Sequence, residues 1–239
     1  MGRGPSIAAR KGAEDARRGK LFTKFIREIT VAARAGGGDP KSNSRLRLVL
    51  DKALAANMPK DTAERAIKRG TGDGGADNFE EIRYEGYGPG GVAIIVDCMT
   101  DNPTRTVADV RHAFTKNGGH LGTSGSVAYL FSRIGQVFFD TGGDPALEER
   151  ILEAALEAGA DDVLNEQGYT EVLASPEAFE SVKKALEAKG LKPVQADVTL
   201  RPATMVTVTG DAGESTGKLI EMLEDLDDVQ KVYSNADLG

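Results

Sequence analysis

The sequence is poor in the residues that most often carry metal and redox chemistry. Among its 239 residues are one cysteine, Cys98, two histidines, His112 and His120, and no tryptophan. A single cysteine excludes an intrachain disulfide and fits a reducing compartment, so the expected location is cytoplasmic. Two histidines and one cysteine do not make a conventional zinc site by themselves, and no metal or other cofactor is expected. No apolar run approaches the ~18 residues that a bilayer span requires, so no membrane partner is expected. Arg10 and Lys11 precede any apolar stretch that would read as a signal peptide.

What is present is charge, unevenly placed. The net charge is −7, yet residues 1–70 hold 17 Lys/Arg against 7 Asp/Glu, while residues 71–239 hold 13 against 30. A basic segment joined to an acidic one suggests nucleic-acid binding by the basic part. The competing explanation is a solvated helical surface that happens to be rich in lysine and arginine.

The basic part reads as three helices. The first is expected over residues 14–35, with Phe22, Phe25, Ile26 and Ile29 on one face. Arg17, Lys20, Lys24 and Arg27 follow helical spacing and line a second face that points outward; Arg10 and Arg34 extend it, and Lys11 and Arg18 lie beside it. Like charges so spaced oppose the helix by ~0.2–0.5 kcal/mol per pair, so a stripe kept despite this points to an anionic partner. Gly36-Gly37-Gly38-Asp39-Pro40 breaks the helix. A second, over residues 45–56, turns Leu46, Val49, Leu50 and Leu54 inward. Asp61 with Glu64 reads as a capping box for a third, which Gly70 closes, with Arg65, Lys68 and Arg69 exposed near its last turn. These make a basic helical domain over residues 1–75, ended by a glycine-rich linker at 70–75.

The densest apolar run, Val92 to Val96, follows the turn Tyr84-Glu85-Gly86-Tyr87-Gly88-Pro89-Gly90-Gly91 and reads as a buried strand. Asp101-Asn102-Pro103 opens a helix, Asn117-Gly118 closes it, and Val127 to Phe131 is expected to be a second strand. Residues 135–200 then read as strand, helix, strand, strand, helix, strand, the ferredoxin-like order. A strand at Met205 to Thr209, a helix from Ser215 to Leu226 and a strand from Val229 to Tyr233 complete the chain. The expected class is α+β: an N-terminal three-helix bundle plus two ferredoxin-like α/β units, one inserted into the other. The central unit takes residues 76–134 and 201–239, and the acidic insertion takes 135–200.

Several of these stretches are long and ordered enough to be specific. Tyr84 to Gly91, Arg105-Thr106-Val107 with Arg111-His112, and Gly122 to Phe131 closely resemble the YebC/PmpR family. The likeness extends through Lys20 to Gly38 and Asn57 to Gly72, and covers nearly the whole chain. It departs at Gly4-Pro5-Ser6-Ile7, where members of that family carry histidine and tryptophan. The resemblance implies a nucleic-acid-binding regulator of gene expression, a DNA-binding transcriptional regulatory protein. The alternative that it also implies is a ribosome-associated translation factor binding rRNA or tRNA.

Other motifs carry less. Gly86 to Gly91 satisfies G-x-G-x-x-G, but it opens a strand where a dinucleotide fingerprint must open a helix. Thr216-Gly217-Lys218 lacks both the first glycine and the final Ser/Thr of a phosphate-binding loop. Tyr87 is a candidate for stacking on a base, and Thr123 and Ser124 lie in a loop whose backbone N–H groups could face a phosphate. Their ordinary roles, strand packing and turn formation, compete with that. Cys98 has no evident cation to make it a thiolate, His112 sits beside Arg111, and Asp97 with Asp101 lacks a base partner. A binding protein is expected, not an enzyme.

Overall fold

The first helix, α1, runs from Ile7 to Gly36 in the computed structural model, which describes residues 7–72 and 78–238, with side chains from Arg18 onward. The side chains of Arg10, Lys11 and Arg17, and part of the expected linker at 70–75, lie outside the described residues. The apolar positions of α1 meet α2 (Ser44–Ala55) and α3 (Lys60–Gly70) in one core of Ile29, Ala32, Ala33, Leu46, Val49, Ala53, Ala63 and Ala66. Asn43 joins the first two helices. Its carboxamide accepts from the Leu46 amide at 3.0 Å and donates to the Ala32 and Gly37 carbonyls, both at 2.8 Å.

Two details of the bundle differ from expectation. Leu54 is 42% exposed, because Ala53 takes the inward position. The third helix has no capping box: it starts behind Pro59, whose carbonyl accepts from Thr62, and Asp61 lies inside the first turn.

Gly70 also does more than end a helix. A Cβ there would lie 2.3 Å from the Thr30 carbonyl oxygen and 2.7 Å from the Ala33 side chain, so the close approach of α3 to α1 depends on its absence. Gly70→Ala is expected to lower stability by about 1–3 kcal/mol through overpacking, read as a shift of the chemical denaturation midpoint.

Beyond the bundle come β1 (Glu80–Tyr87), a tight turn at Pro89–Gly91, β2 (Ala93–Thr100), α4 (Pro103–Lys116) and β3 (His120–Leu121). The expected strand at Val127–Phe131 is instead a single turn, Ala128–Leu130, because Val127 and Ala128 donate to the buried Glu85 carboxylate rather than to a strand. Residues Tyr129–Thr204 form one compact unit and the rest of the chain the other. Its first strand, β4, is continuous from Phe131 to Asp140, which sets the unit's limits wider than 135 and 200. It continues with α5 (Pro145–Ala158), β5 (Asp162–Glu166), β6 (Tyr169–Ala174), α6 (Phe179–Ala188) and β7 (Gln195–Pro202). The sheet order β5-β6-β4-β7, antiparallel throughout, is the ferredoxin-like arrangement.

The chain then returns through β8 (Val206–Thr207), α7 (Gly210–Glu224), β9 (Val229–Ser234) and β10 (Ala236–Asp237). The central sheet has the order β3-β1-β2-β9, antiparallel throughout. This is the ferredoxin-like order with one substitution. The place beside β2 that the third strand of a ferredoxin-like unit would take is held by β1, which reaches it through a tight turn at small loop-closure cost. β8 instead pairs with β10, in parallel, over two residues. Val92, Ile94, Val96 and Cys98 face α4 and α7, packing with Val110, Ala113, Phe114, Leu219 and Leu223.

Candidate nucleic-acid interface

The basic stripe of α1 is real, but three of its cations, Lys20, Lys24 and Arg27, are engaged by oxygens of this same chain. Lys20 Nζ lies 3.1 Å from Asp225 Oδ1, Lys24 Nζ donates to the Glu224 carbonyl at 2.7 Å, and Arg27 Nη1 lies 2.6 Å from Asp228 Oδ1. All three partners lie at the last residue of α7 or in the turn that joins it to β9. That turn is dense in carboxylates, Glu224, Asp225, Asp227 and Asp228, and sits at the negative end of the α7 dipole. The sequence places the cations on one face correctly; their partner, some 200 residues downstream, is what it does not show.

The three contacts differ in strength. Lys20 and Asp225 are 48% and 67% exposed, and such a pair contributes about 0–1 kcal/mol. Lys24 caps exposed carbonyls at a helix end, worth about 0.3–1 kcal/mol. Burial pushes the pKa of its ammonium down, against the opposing pull of Glu224 and Asp225. Arg27 and Asp228 are only 14% and 6% exposed. Arg27 also donates to the Met99 carbonyl at 2.9 Å and lies over the Phe79 ring, 5.1 Å from its centre.

Asp228 is the hub. Besides Arg27 it takes Arg105 Nη2 at 2.9 Å and the hydroxyls of Thr106 and Thr100 at 2.8 and 3.3 Å. Burial alone pushes its pKa up, but the hydrogen bonds from Arg27, Arg105 and Thr106 outweigh it and hold the carboxyl below its ordinary value. Arg105 is shared with Asp101 at 2.9 Å. Arg27, Asp101, Arg105, Thr106 and Asp228, with Lys20, Asp109 and the turn residues Asp225 to Asp227, line a cleft of about 620 Å³.

A second buried carboxylate fills the loop proposed to face a phosphate. Glu85, 4% exposed on β1, accepts from the amides of Gly125, Val127 and Ala128 at 2.7–2.8 Å. The inward-facing N–H groups are thus already on an anion, and Thr123 and Ser124 stand exposed at the tip. Tyr87 stacks on His120, ring centres 5.3 Å apart, and donates its hydroxyl to the Ser126 carbonyl at 2.9 Å. One face of its ring is therefore occupied. Neither Asp228 nor Glu85 stood out in the sequence; the only signal was the run of acidic residues after α7.

The remaining candidate cations lie elsewhere on the bundle. Arg18 is exposed, and so are Arg65, Lys68 and Arg69 on the last turns of α3. Arg65 makes a 3.2 Å hydrogen bond to Thr62, its neighbour on the same helix. Arg34 lies within 3.4 Å of Asn78. Among the described residues no group of three or more His, Cys, Asp or Glu is arranged to hold a metal ion, and no helix is long and apolar enough to cross a membrane.

Comparison with known proteins gives this geometry its context. Residues 4–73 match the family described as the TACO1/YebC protein N-terminal domain, and residues 79–236 that described as the TACO1/YebC second and third domain. A protein of Xanthomonas oryzae pv. oryzae named probable transcriptional regulatory protein is 59% identical over 239 residues, 99% of this chain and 98% of that one. A protein of the same description from Stenotrophomonas maltophilia is 59% identical over 241 residues, 100% of this chain and 98% of its own length. The crystal structure of a conserved hypothetical protein from Aquifex aeolicus superposes with a TM-score of 0.84 at 46% identity, covering 93% of this chain and 91% of that one. The bundle, the central sheet and the inserted unit all fall within these matches, and the chain belongs to the TACO1/YebC family.

Proposed function

We propose that the protein is a DNA-binding transcriptional regulator that works in the cytoplasm and contacts phosphates through the exposed cations of its helical bundle. The observation that carries this reading is the cluster Arg65, Lys68 and Arg69, solvent-facing on the last turns of α3. Arg18, exposed on α1, adds to the positive charge of the bundle. The printed description of the relatives, probable transcriptional regulatory protein, supports it. Phosphate contacts carry no sequence information, so a surface that makes them gives affinity and register more than sequence choice.

The reading is that of a binding protein and not an enzyme. Support comes from Cys98, the chain's only thiol, which burial and the nearby Asp228 and Asp97 charges push up to about 12, far from the thiolate that nucleophilic chemistry needs.

Replacing Arg65, Lys68 and Arg69 together by glutamine is expected to leave the melting transition in place and to weaken duplex binding. The slope of log affinity against log salt should flatten by about three, one per lost phosphate contact. An unchanged slope would remove α3 from the interface.

A further inference from the structure

We propose that the acidic turn at residues 224–228 is an internal stand-in for a nucleic-acid backbone: it occupies the basic face of α1, and a polyanion must displace it to reach Lys20 and Lys24. The inference rests on the nucleic-acid reading above and adds a regulatory contact to it.

Three observations carry it. Lys20, Lys24 and Arg27 follow one face of α1, and each meets an oxygen of the same five-residue turn. The turn presents what a phosphate chain would: anionic oxygens in series, reinforced by the α7 carbonyl end, with Lys24 seated on the Glu224 carbonyl. The contacts are graded along the helix. At the root, Arg27 is largely enclosed and its partner Asp228 is buried and also accepts from Arg105 and Thr106, so this end stays closed. At the tip, Lys20 and Asp225 are both largely exposed, so this end exchanges readily with a competing anion.

Opening is therefore confined to the tip. Lys20 and Lys24 leave the turn while Arg27 keeps the bundle attached to the central sheet, and no core residue has to move. The turn lowers affinity for every polyanion alike, because it competes for charge and not for base contacts. A penalty common to all sites leaves the ratio of their affinities unchanged, so the latch sets the strength of binding and not its selectivity.

The test compares the full-length protein with Asp225→Asn/Asp227→Asn on a short duplex of mixed sequence, titrated between about 50 and 200 mM salt. The double change is expected to tighten binding several-fold at low salt and to steepen the salt slope by at least about one, as Lys20 loses its carboxylate and becomes a phosphate contact while Lys24 keeps the Glu224 carbonyl. The melting transition should be unaltered, since the Arg27–Asp228 root is intact. In a Lys20→Gln/Lys24→Gln background the same carboxylate changes should shift affinity by no more than about two-fold, the residue of a general charge effect. Tightening that persists in that background overturns the latch and leaves only bulk charge. So does an unchanged slope in a variant that binds, while the nucleic-acid reading survives. If neither the wild-type chain nor the variant binds the duplex even at low salt, both the reading and the latch fall.

Discussion

Replacing Asp228 by alanine is expected to cost about 3–5 kcal/mol of folding stability, the range for breaking a buried ion pair from one side. Arg27 would remain nearly enclosed without a counter-charge, and the Thr100 and Thr106 hydroxyls would lose their common acceptor. Asparagine should do little better, because its amide N–H₂ would confront the donors of Arg27 and Arg105. The acid limb carries the same information. The folded-state pKa is lowered, so the contribution of Asp228 is fully present above the ordinary carboxylate range and is lost as pH falls through the lower folded value. Chemical denaturation at neutral pH and along an acid series checks both statements. A loss below about 1 kcal/mol would mean that the arginines and threonines find other partners.

Glu85→Ala is the second change expected to be severe. Three amides that converge on one buried carboxylate would be left without an acceptor in the Gly122–Ala128 loop, a loss of about 3 kcal/mol or more. Glutamine retains one acceptor oxygen and should fall between alanine and wild type. The local signature is faster hydrogen exchange at Gly125, Val127 and Ala128, with strand β2 still protected. Burial raises the Glu85 pKa, but the three amides, with a smaller contribution from Arg83, outweigh it and leave the value lowered. The loop should therefore hold throughout the neutral range and loosen only as acid reaches that lowered value. Exchange rates unaltered by the alanine change would show that the loop is fixed by the burial of Val127 alone.

Much of the architecture could be read from local signals. Pro103 and Pro145 each stand at the first turn of a helix, behind Asn102 and Asp144, whose side chains accept from Arg105 and Ala146. Gln167 and Gly168, both at positive φ, close the β5–β6 hairpin. What was missed depends on distant partners. β1 is written Glu-Glu-Ile-Arg-Tyr-Glu-Gly-Tyr, and its charges hide a central strand. They are tolerated because Glu85 is capped by a loop, Arg83 is matched by Asp97 across the sheet at 2.7 Å, and Glu81 is paired with Arg45 of the bundle. The α1 stripe was misread for a similar reason: spacing says which residues share a face, and says nothing of which anion they meet.

The position of β9 has a consequence for how the protein is made. β2 lies between β1 and β9, and its Ile94 pairs with Ser234, about 140 residues further along the chain. At a synthesis rate of roughly 5–20 residues per second, the far edge of β2 emerges on the order of ten seconds before its partner exists. Its strip of Ala93 to Val96, fully buried in the finished protein, is meanwhile an open template for another nascent strand. The Tyr129–Thr204 unit emerges within that interval and closes its own sheet from nearby residues. Slowing elongation after residue 128 should therefore increase aggregation of the nascent chain, and supplying residues 205–239 in trans should relieve it.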